Sequence, residues 1–386
     1  MTIRVMRWVD RYFGIPLCYL TIPIVRLRRV RSRKRQLPDA RRILVMKFFG
    51  LGSIFYAAPA LVSLRKTHPE ASIHFLTFES NRPFLELLQC VDSILTIRTS
   101  SPVRFVLDTV SFIRGVVSHP YEVVFDFEFF SKFSTFLCAI SGSRRRVGFA
   151  LPVRWRTALL TDEVTIRKDR HVSEAFASQI RLFSDLPVSD EQIRLQPTAQ
   201  ARAMVDALLN DRDKRIMVVN VNAGPTFIER RWPAERFSQL TTTLAADGAI
   251  DIVFTGEASE REYVESVLAK IPNSSRCVNL AGRLTVDELL AVLERAELVV
   301  SNDTGPLHLA AGVGTPVVGL FGPESPLFYG PRGAKSALVY KKIACSPCMN
   351  VYSAKTFRCP YDAECMRRIE VEDVEIAIAD LMKVHA

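Results

Sequence analysis

The sequence predicts an α/β protein of two doubly wound halves, each a parallel sheet covered by helices. Three observations carry that expectation. Short apolar runs of strand length recur along the chain: Ile43–Phe49, Ala71–Phe78, Val91–Ile97, Tyr121–Phe127, Ile216–Val221, Asp251–Thr255, Leu298–Ser301 and Pro316–Phe321. Stretches with helical periodicity alternate with them, which is the pattern of β-α-β units. The alternation pauses over the polar residues 184–214, which carry Pro187, so a domain boundary is expected near residue 195. With 386 residues, 48% apolar and 24% charged, the chain matches two ordinary globular domains. It is not a disordered polymer, a collagen-like repeat or a coiled-coil rod. No stretch of about 20 uncharged apolar residues occurs, so a spanning helix is not expected.

The predicted organisation is a basic, apolar head over residues 1–42, a first half over 43–195 and a second half over 196–386. The head holds twelve Lys and Arg against Asp10 and Asp39, an excess of ten that equals the net charge of the whole chain, +10. The body is formally neutral and lacks the basic bias of a nucleic-acid-binding domain, so no nucleic-acid partner is expected. Within the head, Phe13–Val25 is thirteen residues without a charge, followed by seven cations between Arg26 and Arg35. Thirteen residues fall short of a hydrocarbon core about 30 Å thick. Pro16 and Pro23 are expected to interrupt a long helix. Arginines stand where a secretory signal would have its cleavage site. This leaves a segment lying in a membrane interface, its cations against anionic headgroups. Cations beside an uncleaved apolar stretch favour the cytoplasmic face of the inner membrane, with peripheral attachment. A solvated basic tail is the plainer alternative.

In the first half, Gly50 and Gly52 follow the strand Ile43–Phe49 and allow a tight turn, with Ser53 as the expected N-cap of a helix running through Lys66. Free N–H groups there can receive an anion or a hydroxyl. Asp126 and Glu128 lie two apart and share a face near a strand's carboxyl end, the edge where open α/β sheets bind ligands. Helix capping or pairing with Arg144–Arg146 is the ordinary alternative for either one. Helices are expected over Phe133–Ser141 and from His171.

In the second half, helices are expected at Ala234–Ala246, about 259–269, Val286–Arg295 and about 370–384, the last packing back across the halves. The most informative stretch is Asp303-Thr-Gly-Pro-Leu-His308, where a strand stops and a helix starts at once. Such a corner gathers N–H donors and the positive end of the helix dipole, which suits a diphosphate. Arg230 and Arg231 sit on a loop at the same sheet edge, and arginine forks two bonds to phosphate oxygens. Glu260, just past a strand, is placed to accept from ribose hydroxyls. Taken singly, a helix-packing role for His308 and a surface ion pair for Arg231 are the ordinary alternatives.

Cys345, Cys348, Cys359 and Cys365 follow a C-x2-C-x10-C-x5-C spacing that suits tetrahedral zinc, and four reduced cysteines packing a loop are the alternative. Four thiolates leave no open position, so such a zinc would be structural and not catalytic.

Five ordered stretches give the chain a family resemblance: FFGLGS with APALVSLRKTHP, YEVVFDF with ISGSRRRVGF, ERRWPAERFSQL, FTGEASERE, and SNDTGPLHLAA with TPVVGLFGP. Over about residues 43–370 it resembles the heptosyltransferases of glycosyltransferase family 9. The resemblance implies the GT-B architecture, two Rossmann-like domains facing a cleft. It also implies inverting, metal-independent sugar transfer with no catalytic cofactor, from a nucleotide-diphosphate donor to a lipid-linked saccharide of bacterial lipopolysaccharide. ADP-heptose is the donor it favours. By this resemblance Asp303, Thr304, Gly305 and His308 contact the donor's phosphates and sugar; Pro306 and Arg231 are placed with them on the donor side by their position at the same edge. Arg230 stands in the place of a phosphate-binding lysine and Glu260 in that of the ribose ligand. The first glycine loop of the family reads G-x-G-D, with the aspartate as proposed base, and here that position is Ser53. A neutral serine without an activating partner does not take a proton near pH 7. Three readings stay open: another carboxylate serves, Glu128 before Asp126; the donor differs and the base is displaced; or the chain binds without catalysing, as a partner in an assembly. A sugar-nucleotide epimerase of similar fold is a further alternative.

Overall fold

The computed structural model describes residues 10, 12, 14–29, 40–151, 153–184, 186–209, 215–224, 227–246, 248–272, 274–333, 335–349 and 358–383. The chain divides into two units, Met1–Glu191 and Gln192–Ala386, four residues before the expected boundary.

The first unit opens with helix α1 (Gly14–Arg29), which contains Pro23. The sequence argued against this helix. Pro16 lies in the first turn, where N–H groups have no intrahelical partner, and only Pro23 interrupts the ladder. Burial of Cys18 and Val25 against Ala139, Trp155 and Leu159 holds the helix in place. Among the described residues no helix is long and apolar enough to cross a membrane. The basic run Arg28–Arg35 lies largely outside the described residues.

The core sheet follows: β1 (Arg42–Met46), α2 (Leu51–Thr67), β2 (Ser72–Phe78), α3 (Arg82–Leu88), β3 (Ser93–Ile97), α4 (Pro102–Ser118), β4 (Val123–Asp126), α5 (Lys132–Ile140), β5 (Arg145–Phe149), α6 (Arg154–Thr157), β6 (Asp162–Val164) and α7 (Val172–Arg181). Strand order is β3-β2-β1-β4-β5-β6, with every pair parallel. Strands β1 and β4 are buried along nearly their whole length, which is why they read as continuous apolar runs.

The second unit repeats the plan: α8 (Ala199–Leu208), β7 (Arg215–Asn220), α9 (Ala234–Ala246), β8 (Ile250–Phe254), α10 (Arg261–Leu268), β9 (Cys277–Asn279), α11 (Val286–Arg295), β10 (Leu298–Asn302), α12 (Gly305–Val313), β11 (Val317–Phe321), α13 (Pro326–Tyr329), β12 (Ser336–Tyr340), α14 (Glu364–Arg367) and α15 (Val371–Lys383). The order β12-β11-β10-β7-β8-β9 is the same winding, again all parallel. Helix α15 places Val374 and Ile378 in this unit's own core, with Trp232, Val264, Val318 and Leu320. In each sheet the strand order reverses between the first and fourth strands, β1/β4 and β7/β10. That switch point opens a crevice at the carboxyl ends, where such sheets bind ligands.

Candidate functional site

At the second switch point, Asn302 ends β10 and ties three loops together. Its Oδ1 accepts from Trp232 N at 3.0 Å, and its Nδ2 donates to Val221 O at 3.1 Å and Asn222 O at 3.0 Å. Asn220, at the end of β7, donates to Thr304 Oγ1 at 2.8 Å and Ser301 Oγ at 3.0 Å. These bonds fix the Asp303–Thr304 turn. Thr304 is the extended N-cap of α12 and gives no side-chain cap, while Pro306 lies in the first helical turn. The helix start therefore offers uncapped backbone N–H groups, as the sequence predicts.

Arg230 lies against this turn. Its Nη1 is 3.1 Å from Asp303 Oδ2 and donates to Asp303 O at 3.2 Å. Its Nη2 is 3.6 Å from Glu324 Oε2, and the guanidinium lies 4.7 Å from the Phe227 ring centroid. Burial works against the guanidinium charge, but Asp303 and Glu324 outweigh it and raise the Arg230 pKa. Burial also opposes ionisation of Asp303, yet Arg230 and His308 hold its carboxyl below the ordinary range. His308 Nε2 is 3.4 Å from Asp303 Oδ1. Arg230 Nε is buried without a hydrogen-bond partner among the described residues. The result is a fixed cation at the mouth of a helix N-terminus, with its orientation set by two buried acids.

Glu324, two residues past Gly322 at the end of β11, was not singled out from the sequence. Its signal was present, an acid just beyond a strand's carboxyl end. Burial pushes its carboxyl up to about 7 from an ordinary 4.5; Arg230 pulls the other way and Asp303 adds to the rise. Folding then binds a proton between those two values, so this group's contribution to stability falls as pH rises from about 4.5 to about 7. Glu324→Gln should flatten thermal stability against pH in that window. An unchanged slope would remove Glu324 as its source.

Glu260 lies at the same edge, past β8. It accepts from Glu257 N at 2.9 Å, and burial raises its pKa. Asn222 Nδ2 donates to Thr255 O at 2.9 Å. Gly256 lets these meet: a Cβ there would lie 2.5 Å from Asn222 Nδ2 and 3.3 Å from Glu260 Oε2. Gly256→Ala is therefore expected to displace Asn222, costing about 1–3 kcal/mol and weakening nucleotide binding about tenfold by calorimetry. Arg231 is stacked 3.7 Å from the Tyr263 ring centroid, a ring contact in place of the surface ion pair weighed for it.

At the first switch point, Gly50 is the N-cap of α2 with φ +83°, a conformation that suits glycine. Ser53, expected as the cap, is instead inside the first turn, and its Oγ is buried without a partner among the described residues. Glu128 Oε1 accepts from Phe48 N at 2.7 Å, Phe49 N at 2.9 Å and Lys47 Nζ at 3.1 Å. Asp126 Oδ2 pairs with Arg156 Nη2 at 3.1 Å and accepts from Thr135 Oγ1 at 3.3 Å, while its Oδ1 accepts from Glu128 N at 3.2 Å. These partners, and not Arg144–Arg146, hold the two carboxylates. Both are buried: Glu128 holds the segment that leads into the Gly50–Gly52 turn, and Asp126 holds Glu128 in turn through its N–H.

The four clustered cysteines are free thiols. They lie near enough that burial and their mutual charges raise the pKa of Cys348 and push Cys365 up to about 11. Among the described residues no group of three or more His, Cys, Asp or Glu is arranged to hold a metal ion. The donor chemistry of four thiols suits zinc, and Cys359 Sγ accepts from Ala363 N at 3.3 Å.

Known proteins place the chain. Residues 109–356 match glycosyltransferase family 9 (heptosyltransferase). The chain is similar to lipooligosaccharide heptosyltransferase 2 of Haemophilus influenzae, 30% identical over 48% of this chain and 56% of that enzyme. The similarity to lipooligosaccharide heptosyltransferase 2 of Haemophilus ducreyi is 24% identity over 78% of this chain and 89% of that one. The structure of E. coli ADP-heptose lipopolysaccharide heptosyltransferase II superposes with a TM-score of 0.69 at 20% identity, covering 89% of this chain and 100% of the other, so the GT-B fold class is the one observed. The chain belongs to glycosyltransferase family 9, the heptosyltransferase family.

Proposed function

We propose that this protein transfers a sugar, with ADP-heptose the preferred donor, to a lipid-linked saccharide acceptor in lipopolysaccharide core synthesis. The observation that carries this reading is the corner at Asp303–Gly305, where Arg230 is held by Asp303 and Glu324 against the start of α12. The oxygen of an acceptor hydroxyl bonds to the anomeric carbon with inversion as the bond from that carbon to the diphosphate oxygen breaks, and the hydroxyl proton passes through water to the released diphosphate. The diphosphate leaves toward Arg230 and the N–H groups of α12, whose charge is already in place and stands where other enzymes use a metal ion. Thr304, Gly305, Pro306 and His308 line the phosphate and sugar side, Arg231 stacks beside it, and Glu260 receives the ribose. No cofactor takes part, and no step runs through the cysteines. The protein works as a peripheral protein on the cytoplasmic face of the inner membrane, with residues 1–42 against anionic lipid.

Glu128 and Asp126 are proposed to act by positioning the Gly50–Gly52 turn, in place of the base role expected for them. Ser53 supports a second reading, a chain that binds donor without turning it over. Incubation with a panel of nucleotide sugars separates the classes. Nucleoside diphosphate released only with a lipid acceptor supports transfer. Isomerisation without acceptor indicates an epimerase, and binding without either indicates the non-catalytic partner. If Ser53 occupies the base position, Ser53→Asp should raise turnover about tenfold or more, the low end of a general base's worth. No gain would place the base elsewhere.

A further inference from the structure

Two helices of the first unit carry apolar faces that none of the described residues covers. Helix α1 buries Cys18 and Val25 but leaves Leu17, Leu20 and Ile24 outward, with Leu20 70% exposed. Helix α4 packs inward through Phe105, Phe112, Ile113 and Val116. Its other side presents Val103, Val106, Leu107, Val110 and Val117, with Val103 68% and Leu107 60% exposed. Positions 103, 106, 107, 110 and 117 make one helical stripe. The sequence reading passed over this helix.

The two helices flank a common neighbour. Helix α5 packs under α1, and its Phe133 ring lies 5.0 Å from the Phe105 ring of α4. Asp10, just ahead of α1, accepts from Lys132 N and Phe133 N at 3.0 Å each, which fixes α1 over the start of α5. Phe136 packs against the clusters beneath both helices.

The charges around these faces decide what covers them. Arg26 at the end of α1 and Arg104 and Arg114 on α4 are exposed. In sequence, Arg26 opens the run of seven cations ending at Arg35. The acid on α4, Asp108, is neutralised by a two-pronged contact with Arg98, at 2.9 and 2.7 Å. Helix α1 contains no acid. Exposed aliphatics beside exposed cations fit the interface of an anionic bilayer, where apolar area and headgroup attraction add.

We propose that α1 and α4 together form one membrane-docking face, seated on bilayers containing anionic phospholipid. It rests on the peripheral attachment proposed above and extends it from the head to the body of the first unit. Phe133, between the helices, also lies 5.5 Å from Phe48, which leads into the Gly50–Gly52 turn. The face therefore brings that turn toward an acceptor that is itself anchored in lipid.

The test is flotation of the full chain with phosphatidylcholine vesicles, with and without about 30 mol % phosphatidylglycerol. Val106→Glu/Leu107→Glu alters α4 alone, leaving α1 and every cation in place. Wild type should float with the anionic vesicles. The double variant should lose binding by about fivefold or more, since two exposed aliphatics that would enter the bilayer become charges. Its melting temperature and its stabilisation by ADP should stay as in wild type. Undiminished flotation of the double variant overturns the α4 face, while Leu20→Glu then shows whether α1 binds alone. A wild type that ignores anionic vesicles removes peripheral attachment altogether, without touching the assignment of the donor corner. A wild type that self-associates without lipid, and is made monomeric by the double variant, assigns the face to a second copy and overturns the proposal.

Discussion

Arg230→Ala should lower kcat/KM for the sugar-nucleotide donor by about 10²–10³-fold, chiefly through KM, and should lower the melting temperature as well. Two losses add. The first is the fork to the pyrophosphate: hydrogen bonds to charged groups contribute about 1.5–3 kcal/mol. The second is internal, because Asp303 and Glu324 are buried against this one guanidinium. Removing one partner of a buried pair typically costs about 3–5 kcal/mol, since the other charge is left without compensation. Arg230→Lys separates the two. It keeps the charge but cannot span Asp303 and Glu324 with a planar fork, so an intermediate loss, about tenfold, is expected. Titration calorimetry with ADP and thermal unfolding measure both effects. Wild-type values for Arg230→Ala in the two assays would remove Arg230 from the donor site.

Arg156→Met should cause the largest loss of stability, about 3–5 kcal/mol, or about 10 °C in the melting of the first unit. The guanidinium is wholly buried and answers four acceptors: Asp126 Oδ2 at 3.1 Å, Glu128 O at 2.8 Å, Thr135 Oγ1 at 2.8 Å and Phe149 O at 3.1 Å. Methionine fills much of the volume but leaves those oxygens without donors. Asp126→Leu/Arg156→Met removes both charges and should recover part of the loss, because the desolvation of each ion disappears with it. A double variant as unstable as the sum of the two singles would show that the ion pair itself contributes little.

The sequence made the sheets legible because strands covered on both faces carry unbroken apolar runs, Ile43–Met46 in β1, Ile216–Val219 in β7 and Leu298–Val300 in β10. Helix Val286–Arg295 was also legible, and the structure starts it with a Thr285–Glu288 capping box. Helix α4 escaped because its outward face is nearly as apolar as its inward one, so periodicity did not separate the two. Helix α1 escaped because proline was weighed as a local breaker, while packing against α5 decided the outcome. At the second switch point Asp303 and Thr304 were legible from local pattern, since turn and helix start are contiguous in the chain, whereas Arg230, 73 residues away, was singled out from its own loop. Glu324 and Asn302 were not, because their roles depend on loops 94 and 70 residues away meeting at one edge. Asp126 and Glu128 were read as open to a ligand because strand spacing reports a shared face and not its cover. The lid over Asp126 comes from Arg156, thirty residues on.

Trp232 donates its indole N–H to Ile369 O at 2.9 Å, and Arg236 binds that same carbonyl and the Glu370 carboxylate. The residue that Asn302 anchors beside the Asp303–Gly305 corner thus leans on backbone made some 137 positions later. During synthesis the first unit can close while the second is still emerging, since its sheet needs nothing beyond residue 191. The corner that Asn302 ties together cannot set until residue 369 has cleared the ribosome, so on a nascent chain the sheet of the first unit forms before the crevice at the second switch point does.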